Sequence, residues 1–415
     1  MRFYLPLLAS ASLLGLFAFA CSKPAADDAD APTVTGDEQH IEESDDGIFK
    51  SQAEIGFKIE APIAQLFARF KANQADPPKP KPEAGADAGE DQDTGDGKPK
   101  FSEPGKLTYG EKSFDIRMQI RGNTSPRDCA FPKYKIEFAD KKQTKGTIFQ
   151  GTKDVRVNSH CGMGGPTDRG GQFGRIQNEI SPIREELVYR MIRAAEIPTY
   201  RTRIAKIGYT DTSAASPLAA IEAHGLVIES GELAAKRFAA AGLIDKEKGI
   251  YINDPGGQPQ NSGADTTKMD DNAIAKVYLA EALASNSDWQ FGLGSPGYMW
   301  NIDVFGVAKE ATQLPIPTDY DLSSTVHAQY DPASNVPSQI SKFRSAFGAK
   351  PEVSKAAVEH FKSKRAAIEK EIAAVEAAGI AAKRLPTTDG KTTTDPGFVF
   401  AKKQVEIFFA QPELK

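Results

Sequence analysis

The sequence predicts an α+β protein in two lobes, β-rich first and mostly helical later. Three observations predict it. Apolar residues alternate with polar ones in most segments between about residues 105 and 230. After about residue 231 the apolar residues recur at the three- and four-residue spacing of helices. No internal repeat is present that would point to a solenoid or propeller.

The elements follow in chain order. Residues 1–20, "MRFYLPLLASASLLGLFAFA", carry one Arg near the start, an apolar run and small residues before Cys21, the pattern of a secretory signal. The run is short for a membrane span. "LFAFAC" resembles a bacterial lipobox, with Cys21 as the lipid acceptor and Ser22 behind it, which leans towards the outer membrane of a cell envelope. The alternative is an ordinary cleaved signal with an incidental Cys. Residues 26–46 hold nine acids and no Lys or Arg, so residues 21–46 read as an acidic, disordered tether. One domain is expected over 47–415. It opens with a strand and a short amphipathic helix that has Ile63, Leu66, Phe67 and Phe70 on one face. Residues 77–100, rich in Pro, Gly and Asp, read as a disordered insertion.

"GKLTYGEKSFDIRMQIRGN" reads as a hairpin turning at "YGEK". "FPKYKIEF" is a strand with Tyr134, Ile136 and Phe138 on one face and Lys133, Lys135 and Glu137 on the other. "DVRVNSH" is the next strand. "IREELVYRMIRAAEI" is a helix opened by "SP". "RTRIAKIGYTD" and "AHGLVIES" are strands, "GELAAKRFAAAGL" a helix, residues 253–268 a loop, and "DDNAIAKVYLAEALAS" a long helix. "YMWNIDVFGV" and "QLPIP" are short strands, and residues 352–415 are C-terminal helices.

Composition narrows the function classes. The net charge is −5, and without the tether the remainder is near neutral with no basic block, so no nucleic acid partner is expected. Three cysteines are present; with Cys21 assigned to lipid, Cys129 and Cys161 form an even pair in an oxidising compartment and are expected to bridge, the alternative being two buried thiols. His160 stands beside Cys161 without the further ligands a zinc site needs. No G-x-S-x-G elbow is present.

One acidic set stands out: Asp288 in "NSDWQ", Asn301 in "MWNIDVF", and Asp319 with Asp321 in "PTDYDLSS". Oxygen ligands in this number suit Mg²⁺ or Mn²⁺ and leave room for phosphate oxygens. Singly, an Asp after a helix is usually a cap and a D-x-D usually a turn. The two tryptophans, Trp289 and Trp300, flank the set and read as pocket walls or as core.

In order, "MQIRGNTSPRDCAFPKYKIEF", "REELVYRMIR", "RTRIAKIGY", "GLVIES", "NSDWQ…YMWNIDVF" and "LPIPTDYDLSS" resemble the CotH-like family, atypical protein-kinase-like proteins related to the spore-coat protein H kinase, and within it a secreted bacterial branch. The resemblance spans roughly residues 47–345. It implies a bilobal protein-kinase-like fold with a β-rich N-lobe and a helical C-lobe, binding ATP and a divalent cation and acting on a protein substrate. It implies Asp288 as the catalytic aspartate, Asn301, Asp319 and Asp321 as metal ligands, and Lys135 as the phosphate-facing lysine. It also implies Arg121 near the phosphates and Glu229 where the lobes join. Lys135 also reads as a solvated strand face, Glu185 as surface, and Arg121 as the brace of a turn. The sequence departs from the pattern in lacking a Gly-rich loop before "KYKIEF" and in having "LSS" after Asp321. Two functions follow: a lipid-anchored envelope phosphotransferase-like protein, or a non-catalytic scaffold lipoprotein that uses the fold for binding.

Overall fold

The computed structural model describes residues 47–75, 101–122, 125–160, 180–215, 217–245, 251–253, 265–291, 299–306, 313–326, 332–381, 387–388, 391–392 and 396–414. The signal segment, the tether, the 77–100 insertion and Cys161 lie outside these residues.

The alternating segments form strands as expected, but they do not form an open lobe. β1 (Ile55–Ala61), β2 (Ser102–Tyr109), β3 (Lys112–Ile120), β4 (Tyr134–Phe138), β5 (Asp154–Asn158), β6 (Thr202–Asp211) and β7 (Ile221–Ile228) close into one barrel in the order β1-β2-β3-β4-β5-β7-β6. The closing contact is a parallel pairing of β1 with β6, from Ile55 opposite Ala205 to Ala61 opposite Asp211. This overturns the expected bilobal kinase-like fold: the chain has a barrel-containing fold. The physical reason lies in the edges. An open sheet would leave one row of unpaired N–H and C=O groups on β1 and another on β6, and closure pairs them with each other.

The period-two pattern then has an inside and an outside. In β1, Ile55, Phe57, Ile59 and Ala61 are buried and the residues between them exposed. The hairpin turns at Gly110, whose φ of +59° would strain any residue with a side chain. Gly225 meets a different need. A Cβ there would lie 2.8 Å from Ile207 Cδ1 and 3.0 Å from Val157 Cγ1, so neighbouring side chains fill the place of its own. Phe149, between β4 and β5, packs edge-on against Phe57 and Phe114. α1 (Ile63–Ala75) buries Ile63, Leu66 and Phe67 in the same core, and Phe67 meets Phe131 at 5.1 Å.

The second core is mostly helical. α2 (Ser125–Asp128) is a single turn before β4, and α3 (Ser181–Ala194) packs on β6 and β7 on one side and on helices on the other. α4 (Gly231–Ala240) follows β7, capped by Ser230, whose hydroxyl accepts from the Leu233 N–H. α5 (Asp271–Ala284) is capped by Asp270 and buries most of its length against α6 (Pro332–Phe347) and α7 (Pro351–Ala381). α8 (Pro396–Ala410) completes the group. A small sheet joins β8 (Tyr251–Asn253), β11 (Ile302–Gly306) and β12 (Leu314–Pro317), and β9 (Gln290–Phe291) pairs with β10 (Met299–Trp300). Among the described residues no helix is long and apolar enough to cross a membrane.

Candidate functional site

Three elements converge where the barrel meets α3. The first is the segment entering β4. The Arg121 N–H donates to the Lys133 carbonyl at 3.0 Å, and the Lys133 N–H donates to Ser125 Oγ at 2.8 Å, so the lysine's backbone is fixed from both sides. Its side chain is buried, and the ammonium sits 2.5 Å from Asp319 Oδ1 and 3.0 Å from Asp321 Oδ2.

The second element is the end of β12. β11 and β12 pair with Ile302 opposite Pro317, and the Thr318 N–H donates to the Asn301 carbonyl at 3.2 Å. Asn301 and Asp319, adjoining these strand ends, hold φ of +55° and +58°. Asn and Asp tolerate this left-handed conformation better than other residues with side chains, at about 1–2 kcal/mol each. Tyr189 on α3 holds the bend: its hydroxyl lies 3.1 Å from Thr318 Oγ1 and accepts from the Asp319 N–H at 3.1 Å.

The third is a polar relay behind the lysine. Arg121 donates through Nη2 to Asn158 Oδ1, and Asn158 Nδ2 donates to both oxygens of Glu185, at 2.7 and 2.8 Å. Glu185, on α3, is buried, contrary to its reading as surface. Burial raises its carboxyl to about 7, against the pull of Lys133, and Asp321 and Asp319 push the same way. For Lys133, burial works to lower the pKa, but Asp319, Asp321 and Glu185 together outweigh it and hold the ammonium well above the ordinary lysine value. The cluster borders a small cavity of about 20 Å³, lined by Lys133, Asn158, Glu185 and Asp321 with Ser125 and Ser181.

Asp288 lies next along the same seam. Its N–H donates to Asn286 Oδ1 at 3.1 Å. Asn301 Nδ2 donates to the Asp288 carbonyl at 2.6 Å and to its carboxylate at 3.2 Å. Asn286 in turn donates to Glu281 at 2.9 Å. Burial holds the Glu281 carboxyl well above the usual carboxylate range. The unexpected "LSS" has a structural use: Ser324 donates through its N–H and its hydroxyl to the Ser285 carbonyl, both at 3.2 Å, and ties the turn before Asp288 to the segment after Asp321.

Asp319 and Asp321 thus meet a lysine, and it is Lys133 rather than Lys135. Lys135 points out of the barrel and lies 3.7 Å from Glu137 on its own strand. Arg121 borders the cluster through Asn158. Glu229 stands apart from it. Its buried carboxylate is taken by Arg201 and Arg237, each at 2.7 Å, a brace between β6, β7 and α4. Trp289 is core, edge-on to Tyr278 at 4.8 Å and donating to Gln339 at 3.0 Å. Cys129 is disulfide-bonded. The cluster residues that sequence reasoning passed over, Lys133 and Asn158, carry weak signals. Both lie in strand-like segments where a polar residue reads as solvated.

Asp319 and Asp321 offer hard oxygen ligands and fit Mg²⁺ or Mn²⁺ held by one or two carboxylates, with phosphate and water oxygens completing the shell. Both carboxylates also contact Lys133, so a cation would share them with the ammonium. Among the described residues no group of three or more His, Cys, Asp or Glu could hold a metal ion. No protein-family model matches the chain, and no curated protein is similar to it.

Proposed function

We propose that this chain is a lipid-anchored envelope protein that binds the phosphate groups of a ligand, with ATP as the reference case, through Mg²⁺ or Mn²⁺ at Asp319 and Asp321. Lys133 neutralises the phosphates, Asn301 assists at the metal, and Asp288 faces the hydroxyl of a protein acceptor. The observation that carries the reading is the convergence of a buried lysine from the segment entering β4 with two aspartates from the end of β12. Phosphoryl transfer needs positioning and charge neutralisation more than covalent chemistry by the protein, and these are the parts the cluster contains. The reading rests on this cluster and not on a kinase-like fold. The anchor rests on "LFAFAC" and the acidic segment behind it. One observation favours a second reading, the non-catalytic scaffold: Lys133 already offsets both carboxylates, as a structural tie would.

A thermal-shift screen separates the two. ATP, GTP and simpler phosphates are tested with and without Mg²⁺ or Mn²⁺. A ligand that binds only the native state should stabilise it by about 2.7 kcal/mol at a hundred times its dissociation constant. Metal-dependent stabilisation supports the first reading. A melting curve that no combination moves leaves the scaffold.

A further inference from the structure

Glu281 is an acid in the wrong place for a stable core. It lies on α5 at 0 % exposure, between turns that bury Tyr278 and Leu283, and its Oε1 has no hydrogen-bond partner among the described residues. Leaving a polar atom so placed is unfavourable, and an apolar side chain of similar size would pack as well. The other oxygen has one partner, Asn286, and the geometry around that residue explains why an acceptor is needed.

α5 ends with Ser285 at φ +49°, and the chain folds back so that the Asn286 N–H donates to the Glu281 carbonyl at 3.0 Å. The side chains repeat the link, with Asn286 Nδ2 donating to Glu281 Oε2 at 2.9 Å. On its other side Asn286 Oδ1 accepts the Asp288 N–H at 3.1 Å. The direction is forced. A backbone N–H can only donate, so Asn286 must turn its oxygen to Asp288 and its NH₂ towards residue 281. Residue 281 must therefore accept. Asn301 grips Asp288 from the opposite side through the carbonyl and the carboxylate.

We infer that Glu281 is a positioning residue for Asp288: through the Asn286 amide it fixes the turn that presents the Asp288 carboxylate. That Asp288 then faces an acceptor rests on the proposed function; the positioning itself does not.

The test is amide hydrogen exchange at Asp288, resolved by residue, in the full chain as wild type, Glu281→Gln and Glu281→Leu. The Gln variant keeps an acceptor, and its Asp288 exchange should stay within twofold of wild type. The Leu variant should speed Asp288 exchange at least tenfold while the amides of Val277–Leu283 keep their protection. Unchanged Asp288 exchange in a folded Leu variant overturns the inference, as does a Gln variant as fast as Leu. Should Glu281→Leu fail to fold, Asn286→Ala removes the same link from its other end, and wild-type protection of Asp288 in that variant also overturns it. None of these readouts uses ligand. A wild type that Mg²⁺ and ATP fail to stabilise removes the proposed function and leaves the exchange result standing. Where wild type transfers phosphate, the Leu variant should lower kcat at least tenfold with the KM for ATP unchanged.

Discussion

Replacing Lys133 by Met leaves the two aspartates without the cation between them. Met keeps the chain length and removes the charge. Breaking a buried ion pair from one side costs about 3–5 kcal/mol, because the remaining charges stay uncompensated. Two features of the site move the expectation to the lower end. The Asp319 side chain is 38 % exposed and can rehydrate, whereas Asp321 at 18 % has less access to water. Glu185 already lies near 7 and takes up a proton once the lysine's pull is gone. The expected loss is about 3 kcal/mol in equilibrium urea unfolding without metal. The triple variant Lys133→Met, Asp319→Asn, Asp321→Asn has no charge left to strand, so it should recover to within about 1 kcal/mol of wild type, a coupling that additive sites would not show. The reasoning is refuted if Lys133→Met alone changes stability by less than about 0.5 kcal/mol, the range of ordinary surface substitutions, or if the three losses simply add. The same geometry sets what Asp319→Asn should do. Repulsion between the two carboxylates is already offset by the ammonium, so the substitution removes a partner of Lys133 and destabilises the metal-free protein.

Other expectations follow from the same structure. Glu185 binds its proton more tightly folded than unfolded, so stability should fall as pH rises from about 4.5 to about 7, by no more than ~1.4 kcal/mol per pH unit, and Glu185→Gln should flatten that part of a pH series of urea melts. A Cβ on Gly105 would lie 2.6 Å from the Glu60 carbonyl oxygen and 2.9 Å from Ala61 Cβ, so Gly105→Ala should cost about 1–3 kcal/mol by forcing β1 from β2; wild-type stability would contradict so close a pairing. Cys21→Ser should move the protein from the membrane fraction to the soluble one, and a variant that stays with the membrane would remove the lipid anchor.

What the sequence reveals depends on how far apart the cooperating residues lie. The hairpin over β2 and β3 is legible because its two alternating runs and its "YGEK" turn are contiguous. α3 and α5 are legible from their apolar spacing, Pro182 in the first turn of one and Asp270 capping the other. The barrel is not. Its closing pair joins Ile55 to Ala205, about 150 residues apart, and alternation marks which face is buried but not which strand lies alongside. β8, three residues in a Gly- and Asn-rich stretch, and α6, with Pro337 inside it, go unread because their composition argues against regular structure.

The site shows the same division. Asp319 and Asp321 stand out as a close carboxylate pair, and the positive φ at Asn301 and Asp319 belongs to residue types that accept it. The lysine is harder. "KYK" offers Lys133 and Lys135 with the same parity, and alternation puts both outside. Lys133 instead precedes β4, where the Ser125 hydroxyl and the Arg121 amide hold its backbone and turn its side chain inward. Nothing local in the sequence distinguishes Glu185 from the exposed acids of other helices, since its burial follows from α3 lying between the barrel and the helices.

Binding of Mn²⁺ followed by electron paramagnetic resonance, with ATP present, tests the central claim most directly. Three proteins are compared: wild type, Asp319→Asn and Lys135→Met. The account predicts that wild type and Lys135→Met take up Mn²⁺ with the same affinity and that Asp319→Asn loses at least tenfold. Equal binding by all three, or no ATP-dependent uptake by wild type, would contradict it.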